Sequence, residues 1–320
     1  MRPRHRPHVV PGALAACAAV LLAVGPGLAA TVDSSTPAVA AGRAVVERRG
    51  YVDTPLGQVH YRSLGDGAPV LLLHQTPWYA VEFANAAPLL AHAGFRVLAP
   101  DTPGFGHSPS PPGRPVLEEY ADALAGVLGV SPQAPAVVVG HHTGAALAAL
   151  LAARHPQRVR CVVLHGLPLY TDAERAERIA GLDRHGASPL APDGSHLARH
   201  FATVRERIMH GHGSLAGVQW STLAYFVAPD RDLKAYRALF EHRGLESALR
   251  AIRAPTLLLV DPDDMLLDAT RRARVLRPEF AYAELSGGGS HVIYDRPDEW
   301  SKAVLDFVAG RCARDAGGGS

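Results

Sequence analysis

Two histidines are the residues of this chain best able to move protons or attack a carbonyl carbon. His142 lies between Gly140 and Gly144, after an apolar run and before an alanine-rich stretch. This order predicts a buried strand, a sharp turn and a helix, with the His142 side chain at the top of the turn. His291 follows a run of three glycines near the end of the chain. Because imidazole titrates near neutral pH, either histidine can act as a general base, a general acid or a nitrogen nucleophile.

A run of aspartates supplies carboxylates that could orient such a histidine. Asp261, Asp263 and Asp264 follow the apolar run from Thr256 to Val260. A carboxylate that accepts a hydrogen bond from Nδ1–H fixes the tautomer of an imidazole and favours the imidazolium. The spacing alone leaves open which of the three aspartates has this role.

The sequence around these residues predicts alternating strands and helices. Segments 44–52 and 58–63 alternate apolar and polar residues around a Thr-Pro-Leu-Gly turn, which predicts an antiparallel hairpin. Short apolar runs then alternate with helical patterns, as in a parallel sheet buried on both faces. The predicted organisation is a signal peptide at 1–40, a core at 41–166, an inserted helical cap at 167–250, the rest of the core at 251–310 and a flexible tail at 311–320.

Five ordered features at predicted strand–helix junctions carry a family resemblance. They are Leu71–Pro77, Pro100–Ser108, the Gly-His-His-Thr-Gly turn at 140–144, Asp261–Asp264 and Gly289–His291. In this order, from about residue 44 to 310, the chain resembles a capped α/β-hydrolase-fold protein. The resemblance implies an α/β fold with a mostly parallel sheet flanked by helices. The turn resembles the nucleophile elbow Gly-x-Ser-x-Gly, except that His142 occupies the serine position.

The resemblance also implies roles for individual residues. The family order of nucleophile, acid and histidine falls on His142, Asp264 and His291, with Asp261 or Asp263 as alternative acids. The backbone N–H groups of Thr76 and Thr143 would form the oxyanion hole that stabilises negative charge on a reacting carbonyl oxygen. Histidine tolerates the left-handed backbone of an elbow better than β-branched residues do, so His142 is compatible with the turn.

Three functions are compatible with a histidine at the elbow. The first is hydrolysis of an ester, thioester or lactone by a non-serine mechanism in which His142 and His291 activate water, or His142 attacks directly. The second is a lyase, isomerase, epimerase or cyclase reaction with the two imidazoles as acid and base. The third is an inactive protein that binds a small ligand.

The substrate is predicted to be a small to medium apolar carbonyl compound. Aromatic residues of the cap and of the loop after the third strand would form a largely apolar pocket with few polar groups. The predicted pocket residues are Gln75, Trp78, Tyr79, Tyr170, Trp220 and Tyr225. No cofactor and no metal are expected, since phosphate-binding and dinucleotide motifs are absent from the sequence and the cap histidines His196 and His200 lack an accompanying carboxylate motif.

Composition and the first forty residues bear on partners and location. The chain has 32 Lys+Arg and 30 Asp+Glu without a basic cluster, which disfavours nucleic acid as a partner.

Early arginines, a short apolar run and small residues predict a signal peptide, and therefore a secreted or extracytoplasmic protein without a stable membrane span. A lipid anchor at Cys17 is the less favoured alternative. Once the signal is removed, Cys161 and Cys312 remain, one in a predicted strand and one in the predicted tail, so no disulfide is expected. The sequence indicates no oligomeric state.

Overall fold

A computed structural model describes residues 45–131, 135–185 and 189–312. These residues form a single eight-stranded sheet. The strands are β1 (Arg48–Thr54), β2 (Gly57–Leu64), β3 (Ala68–Leu73), β4 (Phe95–Pro100), β5 (Ala136–His141), β6 (Val159–His165), β7 (Thr256–Val260) and β8 (Ala281–Glu284).

The sheet order is β1-β2-β4-β3-β5-β6-β7-β8. Strands β1 and β2 form the predicted antiparallel hairpin, with Thr54 opposite Gly57 at its turn, and β2 also runs antiparallel to β4. All other neighbouring strands are parallel. The predicted α/β fold with a mostly parallel sheet is therefore confirmed, and the carboxyl ends of β3 to β8 meet at one edge, where ligands bind in such sheets.

Helices cover both faces of the sheet and fill the long connection between β6 and β7. They are α1 (Ala87–His92), α2 (Leu117–Gly126), α3 (Thr143–Arg154), α4 (Asp172–His185), α5 (Ser195–Thr203), α6 (Leu215–Val227), α7 (Lys234–Glu241), α8 (Leu245–Ala251), α9 (Leu267–Leu276), α10 (Val292–Asp295) and α11 (Pro297–Arg311). Short 3₁₀ turns occur at Ala80–Phe83, Val127–Val130, Pro156–Arg158 and Gly289–His291, and a π-helical turn at Val204–Ile208. Among the described residues, no helix has the length and apolar character needed to cross a membrane.

Alternating residues of the central strands pack into two apolar clusters. On β3, Leu71 and Leu73 join one cluster and Val70 and Leu72 join the other. This alternation places one cluster against each face of the sheet, because successive side chains of a strand point to opposite faces. The alanine-rich helix α3 is buried along most of its length, since small side chains let it lie close to the sheet.

The prediction that no disulfide forms is wrong. Cys161 on β6 and Cys312 after α11 are bonded, with their Cα atoms 5.9 Å apart. The two residues are 151 positions apart in sequence, and only the return of α11 across the sheet brings them together. The predicted tail is likewise corrected at its start, because α11 extends to Arg311 and Cys312 is buried. The rest of the tail and the predicted signal peptide lie outside the described residues.

Candidate active site

The turn between β5 and α3 has the backbone of a nucleophile elbow. His142 has φ 49° and ψ −112°, in the positive-φ region that non-glycine residues seldom adopt. Both flanking positions require glycine, because neighbouring backbone atoms lie too close to leave room for a Cβ atom. A Cβ on Gly140 would lie 2.1 Å from the carbonyl oxygen of Gly144, and one on Gly144 would lie 2.0 Å from that of Leu73. The sequence thus builds the turn that presents His142 at the carboxyl edge of the sheet.

His142 is hydrogen-bonded to Asp264, the aspartate favoured by the family pattern. The distance between His142 Nε2 and Asp264 Oδ2 is 2.8 Å, and the side chains are 10% and 0% exposed. The other carboxylate oxygen accepts the backbone N–H of Leu266. Burial alone would raise the pKa of Asp264, but the hydrogen bond and charge of His142 outweigh it and hold the pKa well below its usual value. The pair is a buried carboxylate–imidazole dyad.

This pairing differs from the predicted one, in which Asp264 orients His291. His291 is buried, and its Nδ1 has no hydrogen-bond partner among the described residues. Nδ1 lies against α6, 3.2 Å from the place where a Cβ on Gly217 would stand, and the ring packs edge-on against Trp78. The longer imidazole of His142 fills the space between the elbow and the carboxylate, so Asp264 is already occupied.

The remaining aspartates of the acidic run do not replace Asp264 as partner of His291. Asp261 accepts the backbone N–H of Asp263, and Asp263 accepts that of Gly288, so both carboxylates bond to loop backbone. Burial lowers the pKa of His291 to about 4, a shift that the charge of Asp295 opposes. His291 is therefore a neutral imidazole at neutral pH, and the same lowered pKa makes it a weaker base than an exposed histidine.

A second carboxylate–histidine pair lies directly behind the elbow. Glu82 Oε1 and His141 Nδ1 are 2.7 Å apart, and the two carboxylate oxygens of Glu82 also accept the backbone and side-chain N–H groups of Gln75. Burial raises the pKa of Glu82 to about 7, although the bonds from Gln75 oppose the shift. Gln75 in turn donates to the backbone oxygen of Ser290, which ties the loop after β3 to the loop that carries His291. The sequence gives no signal for Glu82, because a single glutamate in a helical pattern predicts an exposed side chain.

Thr76 and Thr143 lie side by side at the elbow. Their hydroxyl oxygens are 2.7 Å apart, and both residues line the same cavity. The Thr76–Pro77 peptide is cis, and the hydroxyl of Tyr236 on α7 bonds to the Thr76 side chain. The predicted oxyanion-hole residues are thus neighbours, and their role in stabilising charge stays a prediction.

A cavity of about 210 Å³ opens above the elbow. Its walls include His142, His291, Thr76, Thr143 and three of the six predicted pocket residues, Gln75, Trp78 and Tyr170. The other lining residues are Pro77, Pro168, Arg178, Ile208, Ser221, Tyr236, Leu239, Phe240, Met265, Leu266 and Ser290. The cavity wall is therefore mixed, with apolar cap residues facing a polar floor.

Tyr79, Trp220 and Tyr225 lie outside this cavity, contrary to prediction. Tyr79 packs edge-on against His107 behind the loop, and Trp220 packs against the apolar cluster that includes α3. Tyr225 stacks on His200 of α5, with ring centroids 4.2 Å apart. Aromatic residues in a helical cap can face the cavity, the core or a neighbouring helix, and helical periodicity alone does not select among these.

Two groups of described side chains have the spacing of metal ligands, although none was predicted. One is His141, His142 and Asp264, and the other is His60, Asp101 and His107. In each group at least one histidine is hydrogen-bonded to the carboxylate, which accounts for the short distances. Any ion would have to displace those hydrogen bonds.

The chain belongs to the α/β hydrolase fold family, whose sequence model matches residues 68–295. Among named relatives, it is 39% identical over 129 residues to bifunctional epoxide hydrolase 2 of Rattus norvegicus, covering 38% of this chain and only 22% of that protein. It is 29% identical over 228 residues to a haloalkane dehalogenase of Mycobacterium marinum, covering 69% of this chain and 68% of the relative. It is 25% identical over 263 residues to 2-(acetamidomethylene)succinate hydrolase of Mesorhizobium japonicum, covering 78% and 91%. These relatives are named as hydrolases or as a dehalogenase, and they give no support to the lyase, isomerase, epimerase or cyclase alternative.

Solved structures support the fold at lower identity. A thermophilic esterase from Thermogutta terrifontis superposes with a TM-score of 0.68 at 20% identity, covering 83% of this chain and all of the esterase. The enol-lactonase from Burkholderia xenovorans gives a TM-score of 0.65 at 20% identity, covering 81% of this chain and all of the lactonase. At this identity the likeness shows the shared fold alone.

Proposed function

We propose that this protein hydrolyses a small ester, thioester or lactone by a mechanism that uses His142 and His291 in place of a serine nucleophile. One observation carries the proposal. The residue at the elbow is a histidine that lines the cavity and is hydrogen-bonded to a buried aspartate. A base oriented by a carboxylate at the position of carbonyl attack is the arrangement that acyl hydrolysis needs.

The proposed chemistry follows from which nitrogen of the His142 ring is bonded to Asp264. Asp264 accepts a hydrogen bond from Nε2–H, which leaves the lone pair on Nδ1 free to act as a base toward the substrate in this proposal. Water gives a proton to this nitrogen as its oxygen bonds to the carbonyl carbon, and the carbonyl electrons move to the oxygen. The N–H groups of Thr76 and Thr143 stabilise that oxyanion. Its collapse expels the alcohol or thiol, which takes up a proton from an imidazole.

His291 supplies a second imidazole in the cavity lining. Its neutral form and its place in the cavity lining suit it to hold the attacking water or to return a proton to the leaving group. We prefer attack by water to direct attack by His142, because the imidazole fills the space that a serine leaves open for an acyl group.

The cavity volume limits the substrate. Pockets for drug-sized ligands measure about 300–1,000 Å³, and this cavity is about 210 Å³. Short acyl groups are therefore expected to fit and long ones to be excluded.

The test measures hydrolysis of p-nitrophenyl esters of increasing acyl length by the wild type and by His142→Ala and His291→Ala. We expect turnover of short esters only and a loss of about 10²–10⁴-fold in kcat for each variant. His155→Ala is the matched control, since His155 is also paired with an aspartate, Asp122, but lies away from the cavity. Unchanged turnover in both site variants would overturn the proposal, as would a wild type that is inactive until His142→Ser creates a serine enzyme.

We also propose that the protein is exported. The disulfide between Cys161 and Cys312 supports this, because disulfides persist in oxidising compartments and are rare in the cytosol. Cell fractionation of the full-length chain, with a variant lacking residues 1–40 as control, tests it. Recovery of the full-length protein from the cytosol with free thiols would contradict export.

A further inference from the structure

The cavity contains one permanently charged side chain that the proposed hydrolysis does not use. Arg178, on α4, lines the cavity and also lines a second groove together with Glu174, Glu177 and Arg184. The described cavity wall contains no lysine and no carboxylate side chain.

Aromatic rings hold the guanidinium in place. The Cζ atom of Arg178 lies 4.4 Å from the ring centroid of Tyr170 and 5.8 Å from that of Phe240, both cavity residues. Cation–π contacts occupy the flat face of a guanidinium and leave its N–H edge available for hydrogen bonds. The rings thus fix the position of the guanidinium, and its N–H groups remain able to donate hydrogen bonds to a ligand.

No described carboxylate forms an ion pair with Arg178, although other arginines of the cap have such partners. Arg175, one turn earlier on α4, is paired with Asp172 at 2.5 Å, and Arg237 on α7 is paired with Asp183 at 2.5 Å. Glu174, four residues before Arg178, is engaged by Arg272 at 2.6 Å. A half-buried guanidinium beside apolar rings lacks water on much of its surface, so an anionic ligand is its natural complement.

The positive charge also acts on the cavity wall. Burial raises the pKa of Tyr170 to about 12, and the charge of Arg178 opposes this shift. Arg178 acts in the same sense on Tyr236, the residue that bonds to Thr76 at the elbow. Arg178 therefore acts electrostatically on two tyrosines of the cavity wall.

We propose that Arg178 binds a carboxylate of the substrate, so that the preferred substrates are small carbonyl compounds bearing a carboxylate, such as a monoester of a short dicarboxylic acid. The inference rests on the proposed function for the reacting carbonyl, but the binding subsite itself does not require turnover. A bidentate guanidinium–carboxylate contact fixes the acyl chain by its far end and points the carbonyl toward His142.

The kinetic test compares a p-nitrophenyl ester of succinic acid, which keeps a free carboxylate, with the neutral p-nitrophenyl butyrate of similar length. The wild type is expected to favour the succinate ester in kcat/KM. Arg178→Gln should raise KM for that ester about 10- to 100-fold, since hydrogen bonds to charged groups contribute about 1.5–3 kcal/mol, and should change KM for the butyrate ester little. Arg178→Lys should restore part of the loss. Arg199→Gln, which removes an exposed charge from α5 away from the cavity and its neighbouring groove, is the matched control.

A binding measurement separates this inference from the proposed reaction. Isothermal titration of the His142→Ala variant with succinate, and with butyrate as the comparison ligand, needs no catalysis. Binding of succinate that is lost in His142→Ala/Arg178→Gln and kept in His142→Ala/Arg199→Gln supports the subsite even if no ester is hydrolysed. Equal affinity for succinate with and without Arg178, or preference for butyrate in the wild-type background, would overturn it.

Discussion

Two buried histidine–aspartate pairs in this protein have nearly the same geometry and different surroundings. His142 and Asp264 are 2.8 Å apart at the elbow, and His60 and Asp101 are 2.9 Å apart beside β2 and β4. His142 borders the cavity above the sheet. Asp101 lies among backbone donors instead, accepting the N–H groups of Ala80 and His107 in addition to His60.

From this difference we expect position, rather than the chemistry of the two residues, to separate a catalytic pair from a structural one. The carboxylate of Asp101 joins three segments of chain through its hydrogen bonds, which agrees with the expectation that its motif shapes the turn after its strand. The Asp264 carboxylate has one histidine and one backbone donor, and its histidine reaches the space where a substrate would lie. The first pair is expected to stabilise the fold, and the second to act on a ligand.

The largest expected effect is on turnover. Asp264→Asn should lower kcat by about 10²–10⁴-fold, because the neutral amide lacks the negative charge that stabilises a positive imidazole, and its NH2 group can hold His142 in the wrong tautomer. Asp101→Asn should change kcat per folded molecule by less than about threefold. Steady-state kinetics on whichever short ester proves best, normalised to the folded fraction, makes the comparison. Similar losses in both variants would remove the distinction between the pairs.

Stability should show the opposite ranking. Asp101→Asn is expected to lower the free energy of unfolding by about 3–5 kcal/mol, because three donors lose a charged acceptor and each hydrogen bond to a charged group contributes about 1.5–3 kcal/mol. Asp264→Asn should cost less, about 1–3 kcal/mol, because His142 can reach solvent through the cavity. Urea unfolding followed by circular dichroism measures both.

The difference in the free energy of unfolding between wild type and Asp101→Asn should also depend on pH, which gives an internal check. Burial alone would raise the pKa of Asp101, but hydrogen bonds from His60, His107 and Ala80 hold it below its ordinary value. A carboxyl with a lowered pKa in the folded state stabilises the protein fully above its unfolded pKa of about 3.9 and loses this contribution as the pH falls further. The gap between wild type and Asp101→Asn should therefore narrow below about pH 4 and stay constant above it.

His291 gives a prediction for the pH profile of catalysis. Burial places its pKa at about 4, so the neutral base form persists as the pH falls from 7 to about 5 and is half lost near pH 4. The limb of the kcat/KM profile that His291 causes should therefore have its midpoint at a much lower pH than that of an ordinary histidine, whose pKa is about 6.5. Stopped assays between pH 4 and 8 on the wild type and His291→Ala would show it. A limb near pH 6.5 that disappears in His291→Ala would contradict the lowered pKa.

The smallest expected effect is on KM, and it comes from Tyr236 in the cavity lining. Tyr236→Phe removes the hydroxyl that bonds to Thr76 and should raise KM by about three- to tenfold, corresponding to roughly 1 kcal/mol for one hydrogen bond. Tyr225→Phe, outside the cavity wall, is the control and should leave KM unchanged. Equal effects in the two variants would show that Tyr236 does not position the elbow loop.

Much of the fold was predictable because its signals are local. Gly140 and Gly144 lie where a Cβ atom would come within about 2.1 Å of a backbone oxygen, and the hairpin of β1 and β2 follows from the turn residues between two alternating runs. Helical patterns predicted helices between β6 and β7, but they did not predict which side chains face the cavity, as Trp220 and Tyr225 demonstrate. The disulfide was missed for a related reason, since Cys161 and Cys312 become neighbours only through the long return of the chain.

The sequence by itself determined the α/β hydrolase fold, the elbow with its histidine, and the presence of Asp264 and His291 at the carboxyl edge of the sheet. Tertiary structure decided how these groups pair. Two histidines can compete for one carboxylate, and spacing along a chain does not encode which of them reaches it. His142 is hydrogen-bonded to Asp264 in the folded chain, and Nδ1 of the buried His291 has no partner among the described residues.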